Sequence, residues 1–318
     1  MGLHVYQVTK YDPVDRDEHG HYVGPEDVHD DHGPVEAAYL AAVAAFAQET
    51  GVTHLAIRDP EVTGLVSFGV EPPIDGHGLV GLFPPDLTGY HDGAQVPMAV
   101  ALELVRAMLR DNGAWCRLEA EDRFFVHVGY DQYVYVGSAL PCPRAVEFTH
   151  QRGLFAEPIS QSPYDPHLDE DDRAGRRPAD AAFWAELEAL VSKRGAAVLE
   201  EGYVQNASRW HRITLDEIAG IQARLAPRAR LAVWPDLSAD VDAALAGLHE
   251  GLSEIVWQNA QGRVTSLTLD EADYPALPAM LPGVRAVMIL SCLEDERDPL
   301  MAAVLPDPDG VLRARWTP

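Results

Sequence analysis

The sharpest chemical signal in the sequence is Asp15-Arg16-Asp17-Glu18-His19-Gly20-His21-Tyr22-Val23-Gly24-Pro25-Glu26. Aligned to a twelve-residue calcium loop, it puts Asp15 and Asp17 at positions one and three, Gly20 at six and Glu26 at twelve, where a bidentate carboxylate closes the oxygen cage that Ca²⁺ needs. His19 stands where an oxygen ligand belongs, and Pro25 where an exit helix would begin. The pattern therefore departs from a helix–loop–helix calcium site, and the same residues read more simply as a solvated β-hairpin turning at His19-Gly20.

Histidines cluster around this loop. His19, His21, His29 and His32 are interleaved with Asp27, Asp30 and Asp31, a mixture of imidazole and carboxylate that suits Zn²⁺. A second loop carries Asp75, His77, Asp86, His91 and Asp92. Together the two could form a metal-dependent hydrolase, in which the ion acidifies a bound water and a carboxylate takes its proton. Without a metal, His77, His91 and Asp92 become candidates for a surface that meets a ligand or a partner protein.

Residues 205–234 have the opposite charge. Arg209, Trp210, Arg212, Arg228, Arg230 and Trp234 fall in this stretch, with His211 and Arg224 beside them and only Asp216 and Glu217 as acids. Arginine beside tryptophan is what single-stranded RNA recognition uses, the guanidinium for phosphate and the indole as a stacking platform. The competing reading makes both indoles core residues with arginine stems packed over them.

Other chemistry lacks a foothold. Gly76-His77-Gly78-Leu79-Val80-Gly81 has the letters of a dinucleotide fingerprint, but Pro72-Pro73 and Pro84-Pro85 flank it, where a strand and a helix are required. Neither lysine follows a glycine-rich run, and the GxSxG, HExxH and kinase patterns are absent.

The elements that must position these residues can be read from periodicity. Residues 3–9 form an opening strand. Pro34 starts an Ala-rich helix that is apolar nearly all round and closes at Gly51. Two short strands, 53–57 and 62–68, flank an Asp59-Pro60 turn. Residues 69–96 form a long aperiodic loop, of the kind that is usually functional or disordered. A helix over 97–110 carries the apolar stripe Met98, Leu102, Val105 and Leu109. Strands 115–119, 124–128 and 133–136 follow, and then a helix over 143–153. A Ser/Pro/Asp/Arg stretch at 160–179 marks a linker between a 1–159 domain and a 180–318 domain. The second domain reads as helices near 180–194, 214–225 and 237–248 with strands at 230–233, 254–258, 264–269 and 286–290. A final hairpin turns at Asp309-Gly310. The class is α+β, with mostly antiparallel sheets, packed helices and two subdomains.

Composition narrows the partners. The 318 residues carry 50 Asp+Glu against 24 Lys+Arg, a net charge of -26, and the first hundred hold sixteen acids against three bases. Such a surface repels a phosphate backbone, so double-stranded DNA is not expected. No run is apolar enough for a membrane span, and the first residues do not read as a targeting signal, which points to the cytosol. Cys116, Cys142 and Cys292 are three, widely spaced, and fit core thiols better than a disulfide framework.

The segments YDPVDRDEHGHYVGPED, LFPPDLTGYHDGAQV, MLRDNGAWCRLE, NASRWHRIT, RLAVWPDLS and LPDPDGVLRARW resemble an uncharacterised family of acidic proteins of similar length from GC-rich bacteria. The resemblance spans nearly the whole chain and implies a loose RNA-binding label, with no catalytic residue, fold or ligand attached. The expectation is a cytosolic binding or interaction module for an unknown protein or small ligand. RNA binding through the 209–234 segment and a Ca- or Zn-dependent hydrolase built on the acidic loops are the alternatives.

Overall fold

A computed structural model describes residues 2–24, 33–67, 78–129, 132–165, 177–248, 251–293 and 296–314. The chain separates into two compact units, and the second takes Gly64–Asp75 and Pro85–His91 from the amino-terminal half together with Arg173–Pro318. The described ends of the expected linker are narrower than their composition suggests. Ser162 is buried, its hydroxyl 2.9 Å from His127 Nδ1 in the first unit, and the Ala179 N–H donates to Val304 O (2.8 Å) in the second.

The first unit contains β1 (His4–Thr9), α1 (Pro34–Thr50), β2 (His54–Ser67), β3 (Gln95–Pro97), α2 (Met98–Leu109), β4 (Ala114–Ala120), β5 (Phe124–Val128), β6 (Val134–Ser138), α3 (Pro143–Gln151) and β7 (Phe155–Ile159). Its sheet runs β2-β4-β5-β6-β1-β7, with β3 on β2. Gly33 and Gly51, at φ +79° and +71°, bracket α1, which packs against α2, α3 and β6 and buries Tyr39 and Phe46 completely. On its flank the buried Glu36 carboxylate takes Arg106 Nε at 2.9 Å and Arg110 Nε at 2.6 Å, tying α1 to α2.

Two expectations change here. The strands at 53–57 and 62–68 are one strand, β2, and the Asp59-Pro60 signal is a bulge: the register against β4 shifts between Arg58 and Glu61, and Asp59 sits at φ +48°. A bulge and a turn demand similar local chemistry, so the dipeptide alone does not separate them. The sequence also hid β7, whose Pro158 lies opposite Tyr6 of β1, at the outer end of the sheet. Edge strands are where a sheet tolerates proline.

The second unit contains α4 (Ala181–Arg194), β8 (Ala197–Ile213), α5 (Ile218–Gln222), β9 (Arg230–Pro235), α6 (Val241–Leu245), β10 (Ser253–Gln258), β11 (Val264–Leu269), α7 (Leu277–Met280), β12 (Ala286–Ser291) and β13 (Met301–Val304). Strands β13-β9-β8 pair side by side, and β11-β10-β12 form a separate antiparallel sheet. The expected terminal hairpin keeps its Asp309-Gly310 turn, but the strand before it pairs with β9, and 311–314 form no strand. The α+β class with antiparallel sheets and packed helices holds. Among the described residues no helix is long and apolar enough to cross a membrane.

Candidate functional site

The second unit carries a cleft of about 930 Å³, within the range of small-ligand sites. Its walls come from β8, α5 and its flanks, the turn between β10 and β11, and Asp86. β8 sets the geometry. Its first half pairs with β9 from Ala197 to Gly202; Asn206 then enters the left-handed region at φ +64°, and the strand continues to Ile213. In that second half Trp210 turns inward: its indole N–H donates to Ser266 Oγ of β11 at 3.0 Å, and its ring packs with Val198, Trp234, Leu237, Val256 and Val264. The neighbours Arg209, His211 and Arg212 remain half-buried and line the cleft.

All three pair with carboxylates, and Glu201 serves two of them: it holds His211 and lies 3.6 Å from Arg209. Arg209 lies 4.2 Å from the Tyr203 ring centroid and donates to the Asp86 backbone oxygen at 2.7 Å, with the Asp86 carboxylate 3.2 Å away. Tyr203 donates its hydroxyl to the same backbone oxygen, and burial pushes that phenol well above its usual range. Burial works to raise the Asp86 carboxyl as well, but bonds from Thr88 and the Arg209 charge bring it below the ordinary value. Arg212 makes a two-pronged pair with Asp236, at 2.8 and 2.7 Å. His211 Nε2 lies 2.7 Å from Oε2 of Glu201, whose carboxylate is 1% exposed and also accepts the Ala226 N–H at 2.7 Å. A buried carboxylate that close keeps the hydrogen on Nε2, so that in the neutral ring the lone pair lies on Nδ1.

The remaining charges stand at the mouth. Asp216 and Glu217 both accept from the Thr214 hydroxyl, at 2.7 and 2.6 Å. Arg224 is exposed and donates only its Nε, to Gly220 O at 3.0 Å. Arg263 is exposed, and its guanidinium has no partner among the described residues. The lining thus holds four arginines against three carboxylates, in a chain of charge -26. Arg209 and Arg212 are neutralised where they stand, so Arg224 and Arg263 are the cations with donors to spare.

Of the residues expected to bind RNA, the structure brings Arg209, Trp210 and Arg212 to this cleft and leaves the others elsewhere. Trp234 is 4% exposed, with its indole N–H on Glu200 at 3.0 Å. Arg228 pairs with Asp307 at 2.7 Å, and Arg230 lies against Gly202. Neither Trp210 nor Trp234 offers a ring face for stacking, which corrects that part of the expectation: aromatic bulk near the chain's own core atoms buries before it binds. Arg263 was not read from the sequence. Its one signal is the Asn259-Ala260-Gln261-Gly262 turn that presents it between two strands.

The acidic loops take a different form. Asp17 Oδ1 accepts the backbone N–H groups of His19 and His21, at 2.9 Å each; Arg16 bridges to Tyr22, and Gly20 turns at φ +84°. This is the hairpin alternative, with Asp17 capping its own turn. Asp15 shapes it through its backbone oxygen, which accepts the Val23 N–H at 2.8 Å. Glu26 and His77 lie outside the described residues. His91 is half-buried. Asp92 is fully buried and 3.0 Å from Arg58 Nε, so it cannot contribute to an exposed surface; that expectation is corrected. Among the described residues no three His, Cys, Asp or Glu side chains are grouped to hold a metal ion.

No family model, curated protein or solved structure matches this chain.

Proposed function

We propose that the protein is a binding module and that its binding site is the arginine-lined cleft of the second unit, taking an anionic ligand of small-molecule size. The observation that carries this is the pair Arg224 and Arg263, exposed residues in the lining of a 930 Å³ cleft with donors unspent, while the other arginines of the lining are already paired. A guanidinium presents a planar fork that matches phosphate or carboxylate oxygens. On a strongly acidic protein, guanidinium groups with unspent donors are where an anion gains most from direct charge-assisted hydrogen bonds. Burial of Trp210 and Trp234 leaves phosphate contact without base stacking, which favours a short ligand over a long single strand.

Calorimetry with inorganic pyrophosphate at low ionic strength tests the reading. We expect Arg224→Glu and Arg263→Glu each to weaken binding by about tenfold or more, the scale of one lost charge-assisted hydrogen bond. Arg228→Gln, away from the cleft, should leave affinity unchanged. Absence of binding by the unaltered protein, or binding indifferent to both reversals, would place the ligand site elsewhere.

A further inference from the structure

We propose that the same cleft is catalytic, with His211 as the proton acceptor in metal-independent cleavage of a ribo-phosphodiester; this rests on the anion-binding reading above. Three observations converge on it. Glu201, buried to 1% exposure, holds His211 Nε2 at 2.7 Å and so leaves Nδ1 as the basic nitrogen. Nδ1 has no partner among the described residues, and His211 is one of the residues that line the cleft. Arg224 and Arg263 bring uncommitted positive charge to that cleft, where a phosphorane would develop negative charge.

The lining restricts the substrate class. Among the described lining residues there is no serine, cysteine or threonine, so the cleft does not supply a hydroxyl or thiol nucleophile. Its carboxylates are engaged, Asp86 by Arg209 and Thr88, Asp216 and Glu217 by Thr214. The reaction such a site can serve is one in which the substrate carries its own nucleophile. A 2′-hydroxyl beside a phosphodiester is that case, and intramolecular attack reaches effective molarities of about 10⁵–10⁸ M.

The step balances without oxidant, metal or water. The 2′-oxygen forms a bond to phosphorus as its proton passes to His211 Nδ1. The P–O5′ bond breaks and its electron pair stays on O5′, which takes the proton back from the imidazolium. The products are a 2′,3′-cyclic phosphate and a free 5′-hydroxyl, and the histidine returns to its starting form. Arg224 and Arg263 hold the non-bridging oxygens. Glu201 is a positioning residue: it fixes the tautomer and stabilises the imidazolium that forms.

Uridylyl-adenosine and its 2′-deoxy counterpart, incubated with the full chain in chelator, separate binding from turnover. We expect the ribo compound to give cyclic phosphate and adenosine, and the deoxy compound to bind without reacting. His211→Asn, purified identically to control for contaminating nuclease, should lower the rate about 10²- to 10⁴-fold while changing the deoxy dissociation constant less than about threefold. Glu201→Gln should lower kcat with KM nearly unchanged, and Glu201→Asp should restore part of the loss. Deoxy binding without ribo cleavage would overturn the catalytic proposal and leave the anion site standing. No binding of either compound would remove both, and cleavage undiminished in His211→Asn would assign the activity to another molecule.

Discussion

Glu36 shows what a single residue does in this fold. It is buried on α1, yet its carboxyl titrates below the ordinary 4.5: burial works to raise it, and the bonds and charges of Arg110 and Arg106 more than reverse that. A carboxyl depressed in the folded state contributes stability that is complete above its unfolded value and is lost as pH falls through the folded one. Glu36→Gln should therefore cost about 1–3 kcal/mol near pH 7, with the gap from the unaltered protein narrowing as pH falls below the ordinary carboxyl range, as urea denaturation at neutral and at acidic pH would show. The helix that carries Arg106 and Arg110 was legible, but their common partner, 70 and 74 residues back along the chain on α1, was not. The same holds in the cleft. Arg209, His211 and Arg212 stand together in the chain and were readable as a group; Arg263 joins them only because β11 lies against β8 through the Trp210–Ser266 bond.

Elements with clean periodicity, α1, α2, β4 to β6, β10 and β11, emerged from the sequence nearly at their observed bounds. The failures have local causes. β8 was missed because Glu200, Glu201 and Asn206 interrupt its apolar pattern; the structure buries those acids against His211, Trp234 and Arg297 and uses Asn206 at φ +64° to redirect the strand. Polarity that is paid for by a partner looks, in one dimension, like a loop. α5 and α6 proved shorter than their apolar residues suggested. A test at this scale concerns Gly137 of β6, directly opposite Phe125 of β5. A Cβ at Gly137 would collide with the Phe125 ring, which itself stacks on His127 at 4.2 Å. Gly137→Ala should destabilise the first unit by about 1–3 kcal/mol, the usual range for overpacking, measured as a lower denaturation midpoint with unchanged slope.

At the scale of the whole molecule, the composition was informative about forces and silent about place. A net charge of -26 predicts self-repulsion that salt relieves. The thermal midpoint should rise as KCl is added to about 0.5 M, while the cleft's affinity for pyrophosphate falls over the same series, because there the screened interaction is attractive. Midpoint and affinity moving in the same direction would contradict anion binding by Arg224 and Arg263 on a repulsive surface. The net charge alone did not place that site; the basic stretch 205–234 supplied three of its four arginines, and Arg263 came from outside it.

The proline in β7 has a further consequence. A sheet's outermost strand offers hydrogen-bonding groups that another chain can adopt, which is how folded proteins begin to stack into fibrils. Pro158 has no N–H to lend, inward or outward, and its ring interrupts the regular ladder that an incoming strand would need. An acidic surface keeps copies of this protein apart at long range; at contact distance, the edge of the first unit's sheet is made unfit for recruitment.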